Sequence, residues 1–162
     1  MKPFPWKCGK CRERAVRPAT LPAYEAELEH DGRSYHVSVS DLEVFHCEKC
    51  GAILLDDAAD ERLSAALRAA AGLLKPAEIR ARREALGLKQ KELAGYLRIN
   101  ESTLSRWETG AQIHQRSMDA LLRIFFGLPE ARRMLGVPSD RKADAASVTE
   151  DEHGRPFSLI GS

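Results

Sequence analysis

No uninterrupted apolar run of eighteen or more residues, the length a helix needs to span a bilayer, occurs anywhere in the chain. No membrane span is therefore predicted. The opening residues, MKPFPWKCGK, lack the apolar core of a signal peptide, so a cytoplasmic, reducing compartment is expected. Aromatic residues are scarce, 6% against 43% hydrophobic overall, so a core must rest mainly on Leu, Ala and Ile. Net charge is almost absent as well, at +1 over 162 residues.

That near-neutrality conceals a division. Residues 1–19 carry six basic and one acidic residue, 20–74 four and eleven, 75–136 twelve and seven, and 137–162 three and five. An acidic stretch joined to a basic one points to two modules with different partners, the basic one suited to phosphate.

The four cysteines form two pairs, Cys8-Gly9-Lys10-Cys11 and Cys47-Glu48-Lys49-Cys50-Gly51, with 35 residues between them. Two residues between ligands let both sulfurs of a turn converge on one ion, and two such turns give the closed Cys₄ set of a structural zinc site. Gly9 and Gly51 are expected to supply the unusual backbone angles of these turns. Lys7, Lys10, Arg12 and Lys49 are near enough in sequence to offset the charge of four thiolates. A reducing compartment argues against disulfides. A thioredoxin-like pair would need a helix start that Lys-Cys-Arg-Glu-Arg does not offer. Iron would take the same ligands, so the metal is read as one structural zinc with iron left open. His46 is adjacent to Cys47 but is surplus to a complete ligand set.

Between the pairs the pattern is β. Leu21–Glu29 and Arg33–Val39 flank His30-Asp31-Gly32, and Asp-Gly is a strong hairpin signal. Residues 1–55 thus read as a small β module pinned by metal. Residues 56–75 read as a connecting helix and linker: Asp56 and Asp57 cap a helix running to about Leu74, with Leu63, Leu67, Ala70 and Leu74 on one stripe. From Pro76 the chain becomes short helices with sharp stops. Ile79, Arg83 and Leu86 share a face before Gly87, and a second helix spans about 90–97 with Leu93, Ala94 and Leu97 inward. Later helices fall near 115–126, burying Leu121, Leu122 and Phe125, and near 129–135. Residues 137–162 are polar with scattered Pro and Gly, and read as a disordered tail.

The stretch NESTLSRWETG, residues 100–110, carries the most chemistry. On a helix, Leu104 and Trp107 share one face while Ser102, Ser105 and Arg106 cluster opposite. Asn100 is expected to cap the helix with its side-chain oxygen, and Thr109-Gly110 to close it. A helix over 90–97 followed by this one is the helix-turn-helix arrangement, whose second helix enters the major groove of double-stranded DNA. Ser102, Thr103 and Ser105 can donate or accept at base edges, and Arg106 can reach guanine O6 and N7 together. Gln90, at the start of the preceding helix, falls where a phosphate is favoured. Glu108 is expected to pair internally. His30, His36, His114 and His153 are scattered without a Ser or Asp arrangement and are expected at the surface. A closed metal site leaves no open coordination position, so no enzyme is predicted.

LKQKELAGYL…STLSRWETG, residues 88–110, resembles the XRE (lambdoid-repressor) helix-turn-helix. With the Cys₄ module, β region and connecting helix before it, the order over residues 5–136 is similar to the MqsA family of antitoxins with their YgiT-type zinc finger. The resemblance implies an α+β chain of two modules, with a five-helix lambdoid-repressor-like domain over 76–136. It implies zinc on Cys8, Cys11, Cys47 and Cys50, and base contacts from Ser102 and Arg106. It further implies a homodimer through the C-terminal domain, a palindromic operator, repression of its own operon, and a toxin held by the N-terminal half. Ser102 stands where those antitoxins carry Asn, so a different operator sequence is expected. Lys89 replaces the usual Ser/Thr cap, which is expected to weaken that cap while adding a phosphate contact. A zinc-ribbon XRE regulator without a toxin shares every one of these motifs.

Overall fold

The computed structural model describes residues 3–138. The tail beyond Pro138, with His153, lies outside the described residues. The chain is α+β and divides into two compact units at Ala70/Ala71.

The first unit is an antiparallel sheet with strand order β1-β2-β3-β4: β1 (Trp6–Lys7), β2 (Arg14–His30), β3 (Arg33–Cys47) and β4 (Ile53–Leu54). The hairpin turns on Asp31 (φ 53°) and Gly32 (φ 71°). Positive φ at both central residues matches the right-handed twist of the strands, which is why Asp-Gly nucleates it. From that turn the ladder runs, in one register, to Val16↔Cys47. The strands are therefore far longer than the alternation predicted. Two features hide their extent. Pro18 and Pro22 interrupt the propensity of β2, and the inward side of β3 changes from odd to even positions at Asp41. Val37 and Val39 are buried before that residue, Leu42 and Val44 after it, and Asp41 itself has φ 48°.

Helix α1 (Asp57–Ala70) packs along β3 and belongs to this first unit. It is capped by Asp56, whose Oδ1 accepts from the Ala59 N–H at 2.9 Å. It ends at Ala70, short of the expected Leu74. Leu63 and Leu67 are buried as the stripe predicted, Ala70 is exposed, and Leu74 belongs to the core of the second unit. The Arg62 guanidinium donates to the carbonyls of Ser40 (2.5 Å) and Asp41 (2.6 Å), satisfying backbone acceptors where the strand changes face.

The second unit contains α2 (Pro76–Ala85), α3 (Gln90–Tyr96), α4 (Glu101–Thr109), α5 (Arg116–Gly127) and α6 (Pro129–Met134). Its core gathers Ile79, Leu93, Leu104, Leu122 and Phe125, all fully buried, with Leu74, Ala94, Leu97, Trp107 and Val137 around them. Val137, assigned to the tail by the sequence pattern, thus packs inside. Leu121 is only partly buried at the edge of this core. Arg132 on α6 donates twice, at 3.0 Å, to the carbonyls of Phe125 and Phe126, satisfying acceptors at the C-terminal end of α5.

Candidate metal centre and nucleic-acid interface

The sulfurs of Cys8, Cys11, Cys47 and Cys50 all lie within 4.8 Å of one another. Cys8–Cys50 and Cys11–Cys47 are each 3.7 Å apart. A tetrahedral ion with metal–sulfur bonds of about 2.3 Å separates its ligands by about 3.8 Å, whereas a disulfide brings sulfurs to about 2.0 Å. The cluster is therefore compatible with zinc. Its two turns are closed alike, by Arg12 N–H to Cys8 O and Gly51 N–H to Cys47 O, both 2.9 Å. The residue after each second cysteine adopts a left-handed conformation, Arg12 (φ 65°) and Gly51 (φ 71°). The expectation for Gly51 holds. Gly9 does not have positive φ, and the strained position of the first turn is Arg12.

The thiols respond to this crowding in opposite ways. Backbone N–H groups of Cys11 and Lys10 lower the Cys8 pKa to about 6. At Cys11 a backbone hydrogen bond from Glu13 favours the thiolate, but burial and the three neighbouring sulfurs outweigh it and raise the pKa to about 12. Four sulfurs this close do not all ionise unaided, and a divalent cation relieves that conflict. Cys8, Ala15, Val16 and Cys47 form a buried cluster, flanked by Trp6, Phe45, Cys11, Cys50 and Ala52. His46 is outside the sulfur cluster.

In the second unit, α3 and α4 are joined through Leu97–Asn100, with Arg98 at φ 58°. α4 buries Leu104 and Trp107 and exposes Ser102 and Arg106, while Thr103 and Ser105 are half-buried. Leu104 and Trp107 inward with Ser102 and Arg106 outward match the periodicity, whereas Ser105, expected outward with them, is half-buried. Asn100 requires a correction. It occupies the N-cap position with extended backbone, but its side chain makes no capping bond. The capping acceptor is its carbonyl, which takes the N–H groups of Thr103 and Leu104. Gly110 (φ 83°) ends α4 as expected.

Lys89 is at the N-cap of α3, and the Glu92 carboxylate reaches back to accept its backbone N–H at 2.8 Å. The lost Ser/Thr cap is thereby partly replaced, half of a capping box being supplied from N3. Lys75 and Glu78 repeat the device at α2, at 2.7 Å.

Glu108 holds α4 to its neighbours. Its carboxylate accepts from Arg83 Nε (2.6 Å) and Nη2 (3.0 Å) and from Gln90 Nε2 (2.8 Å), while Arg83 Nη1 donates to Leu88 O at 2.7 Å. The hydrogen bond to Glu108 raises the Arg83 pKa despite burial. Gln90, half-buried, therefore has one amide N–H turned inward to Glu108.

His114, expected at the surface, is 2% exposed. Its Nε2 lies 2.8 Å from Asp119 Oδ1, which also accepts the Leu74 N–H at 2.8 Å, while Asp119 Oδ2 accepts from Arg123 Nε at 2.5 Å. Burial opposes the Asp119 charge, but His114, Leu74 N–H and Arg123 outweigh it and its pKa is lowered. The carboxylate is therefore acceptor-only, and Nε2 of His114 carries the proton. The His114 ring lies 5.6 Å from that of Trp107. Trp107 Nε1 is buried without a hydrogen-bond partner, the only such side-chain atom among the described residues.

Residues 79–130 match a family model described as helix-turn-helix. That span runs from within α2 to the start of α6 and supports DNA binding and transcription regulation through an XRE-like helix-turn-helix in the second unit. A comparison with curated proteins found no match to the chain. Among the described residues no helix is long and apolar enough to cross a membrane.

Proposed function

We propose that this protein is a sequence-specific DNA-binding antitoxin. In this reading α4 reads one half of a palindromic operator, and a homodimer joined through the C-terminal domain reads both. Cys8, Cys11, Cys47 and Cys50 hold one structural zinc ion, which cross-links the base of the long hairpin. The N-terminal unit binds and neutralises a toxin, and the dimer represses the operon encoding both.

The observation that carries the DNA reading is the division of α4. Leu104 and Trp107 anchor one side, so Ser102 and Arg106 project together from the other. Arg106 supplies a paired donor for guanine, Ser102 a short donor or acceptor one turn away, and Thr103, Ser105 and Asn100 border them. Gln90 has a second amide N–H available to a phosphate at the start of α3. The toxin reading is supported by the acidic balance of residues 20–74, eleven acidic against four basic, which suits a basic protein partner.

Co-expression with the neighbouring reading frame, followed by purification on this chain, tests the partner. Retention of a small basic protein that loses its toxicity on binding supports the antitoxin. Absence of such a protein, with specific binding to the upstream DNA retained, replaces it with a stand-alone zinc-ribbon XRE-family regulator.

A further inference from the structure

We propose that the four cysteines also form an oxidative modification site, at which a hydroperoxide closes two disulfides between the turns, Cys8–Cys50 and Cys11–Cys47. The two sulfur pairs in contact, each at 3.7 Å, join one turn to the other. Each pair combines a buried cysteine, Cys8 or Cys47, with a partly buried one, Cys50 or Cys11. This is the arrangement of a peroxide-accessible thiol beside a resolving thiol. Within each turn, the Arg12 N–H to Cys8 O and Gly51 N–H to Cys47 O bonds fix the loop that carries its two cysteines. Between turns, the Cys47↔Val16 pairing and the Glu48 N–H to Ala15 O bond (3.0 Å) keep the partners side by side.

The chemistry balances with one hydroperoxide per disulfide. One sulfur of each pair attacks the peroxide as its thiolate, so an S–O bond forms as the O–O bond breaks, and the departing hydroxide takes up a proton, giving a sulfenic acid and water. The partner sulfur then attacks as its thiolate, the S–S bond forms, and hydroxide departs and takes up a proton as water. Two thiols are oxidised to a disulfide and hydrogen peroxide is reduced to two waters. Disulfide sulfurs are poor ligands, so metal is released as the pairs close.

The sequence makes the test clean, because trypsin separates all four cysteines into the peptides 8–10, 11–12, 34–49 and 50–62. The full chain is first assayed for bound zinc by elemental analysis, then treated with hydrogen peroxide, blocked with N-ethylmaleimide and digested. The proposal expects loss of all four free thiols, release of the zinc, and cross-linked peptides 8–10 with 50–62 and 11–12 with 34–49. Dominant links of 8–10 to 11–12 and of 34–49 to 50–62 would overturn it, as would sulfinic acids without disulfides. A chain purified without zinc would count against the zinc reading, while the peptide map would still decide the pairing.

Discussion

Removing Glu108 takes from Arg83 its closest carboxylate, and the consequence follows from the contacts. The side chains of Arg83 and Glu108 are 9% and 2% exposed, and their pairing is bidentate. Glu108→Ala leaves the buried Arg83 guanidinium with only the longer contact to the exposed Glu84, at 3.4 Å, as a carboxylate partner and takes the acceptor from Gln90. Deleting one partner of such a pair costs roughly 3–5 kcal/mol. A unit of this size has roughly 3–10 kcal/mol of total stability, so the variant is expected at or near the unfolding threshold. Urea unfolding of the full chain, followed by circular dichroism at 222 nm, reads this directly. At about 1 kcal/mol per molar urea, the helical transition moves down by several molar or disappears. The double variant Arg83→Met/Glu108→Leu removes both charges and is expected to recover most of the loss. A Glu108→Ala midpoint within about 1 M of the parent, or a double variant less stable than the single, would refute the reasoning.

Arg98→Gly should stabilise the second unit by about 0.5–1 kcal/mol, because a left-handed side chain costs roughly 1–2 kcal/mol and glycine's added chain entropy offsets only part of that; the urea midpoint checks it. Asp119 has a lowered pKa, so its contribution to stability is present above the unfolded carboxylate pKa of about 3.9 and is lost as pH falls through the lower folded value. Parent stability should therefore fall below about pH 4, and Asp119→Asn should flatten that fall while lowering stability at pH 7. Cys47→Ser should cost the metal and unfold the first unit, whose site supplies roughly 10–16 kcal/mol when zinc is bound. DNA binding by α4 in the same variant should persist in a gel shift; loss of both together would mean the units depend on each other.

Local periodicity was a good guide wherever the decisive contacts lie within one helix. The faces of α4 and the inward Leu93, Ala94 and Leu97 were legible because 3.6-residue spacing sorts them, the Gly110 stop because glycine ends helices, and the internal pairing of Glu108 because a carboxylate facing DNA would be repelled. The hairpin turn was legible from Asp-Gly, but not the length of its strands, since Pro18, Pro22 and the face change at Asp41 break the alternation. His114 lies in an aperiodic loop, and it is buried because Asp119, on α5, offers it a carboxylate. Asn100 shows the limit of propensity. A good capping residue stood at the right position, yet its side chain makes no cap bond. Arg12 was missed because a non-glycine residue at positive φ leaves no mark in the sequence.

The most direct test of the central claim is selection of bound duplexes from a random DNA pool by the parent chain and by Arg106→Ala, at one fixed salt concentration. The account predicts a preferred half-site containing a guanine in the parent. In Arg106→Ala that preference should relax at one base pair per half-site, with affinity for the parental site reduced by roughly 1–3 kcal/mol. Identical selected sequences and equal affinities for the two proteins would contradict it, because the guanidinium exposed on α4 would then not be reading a base.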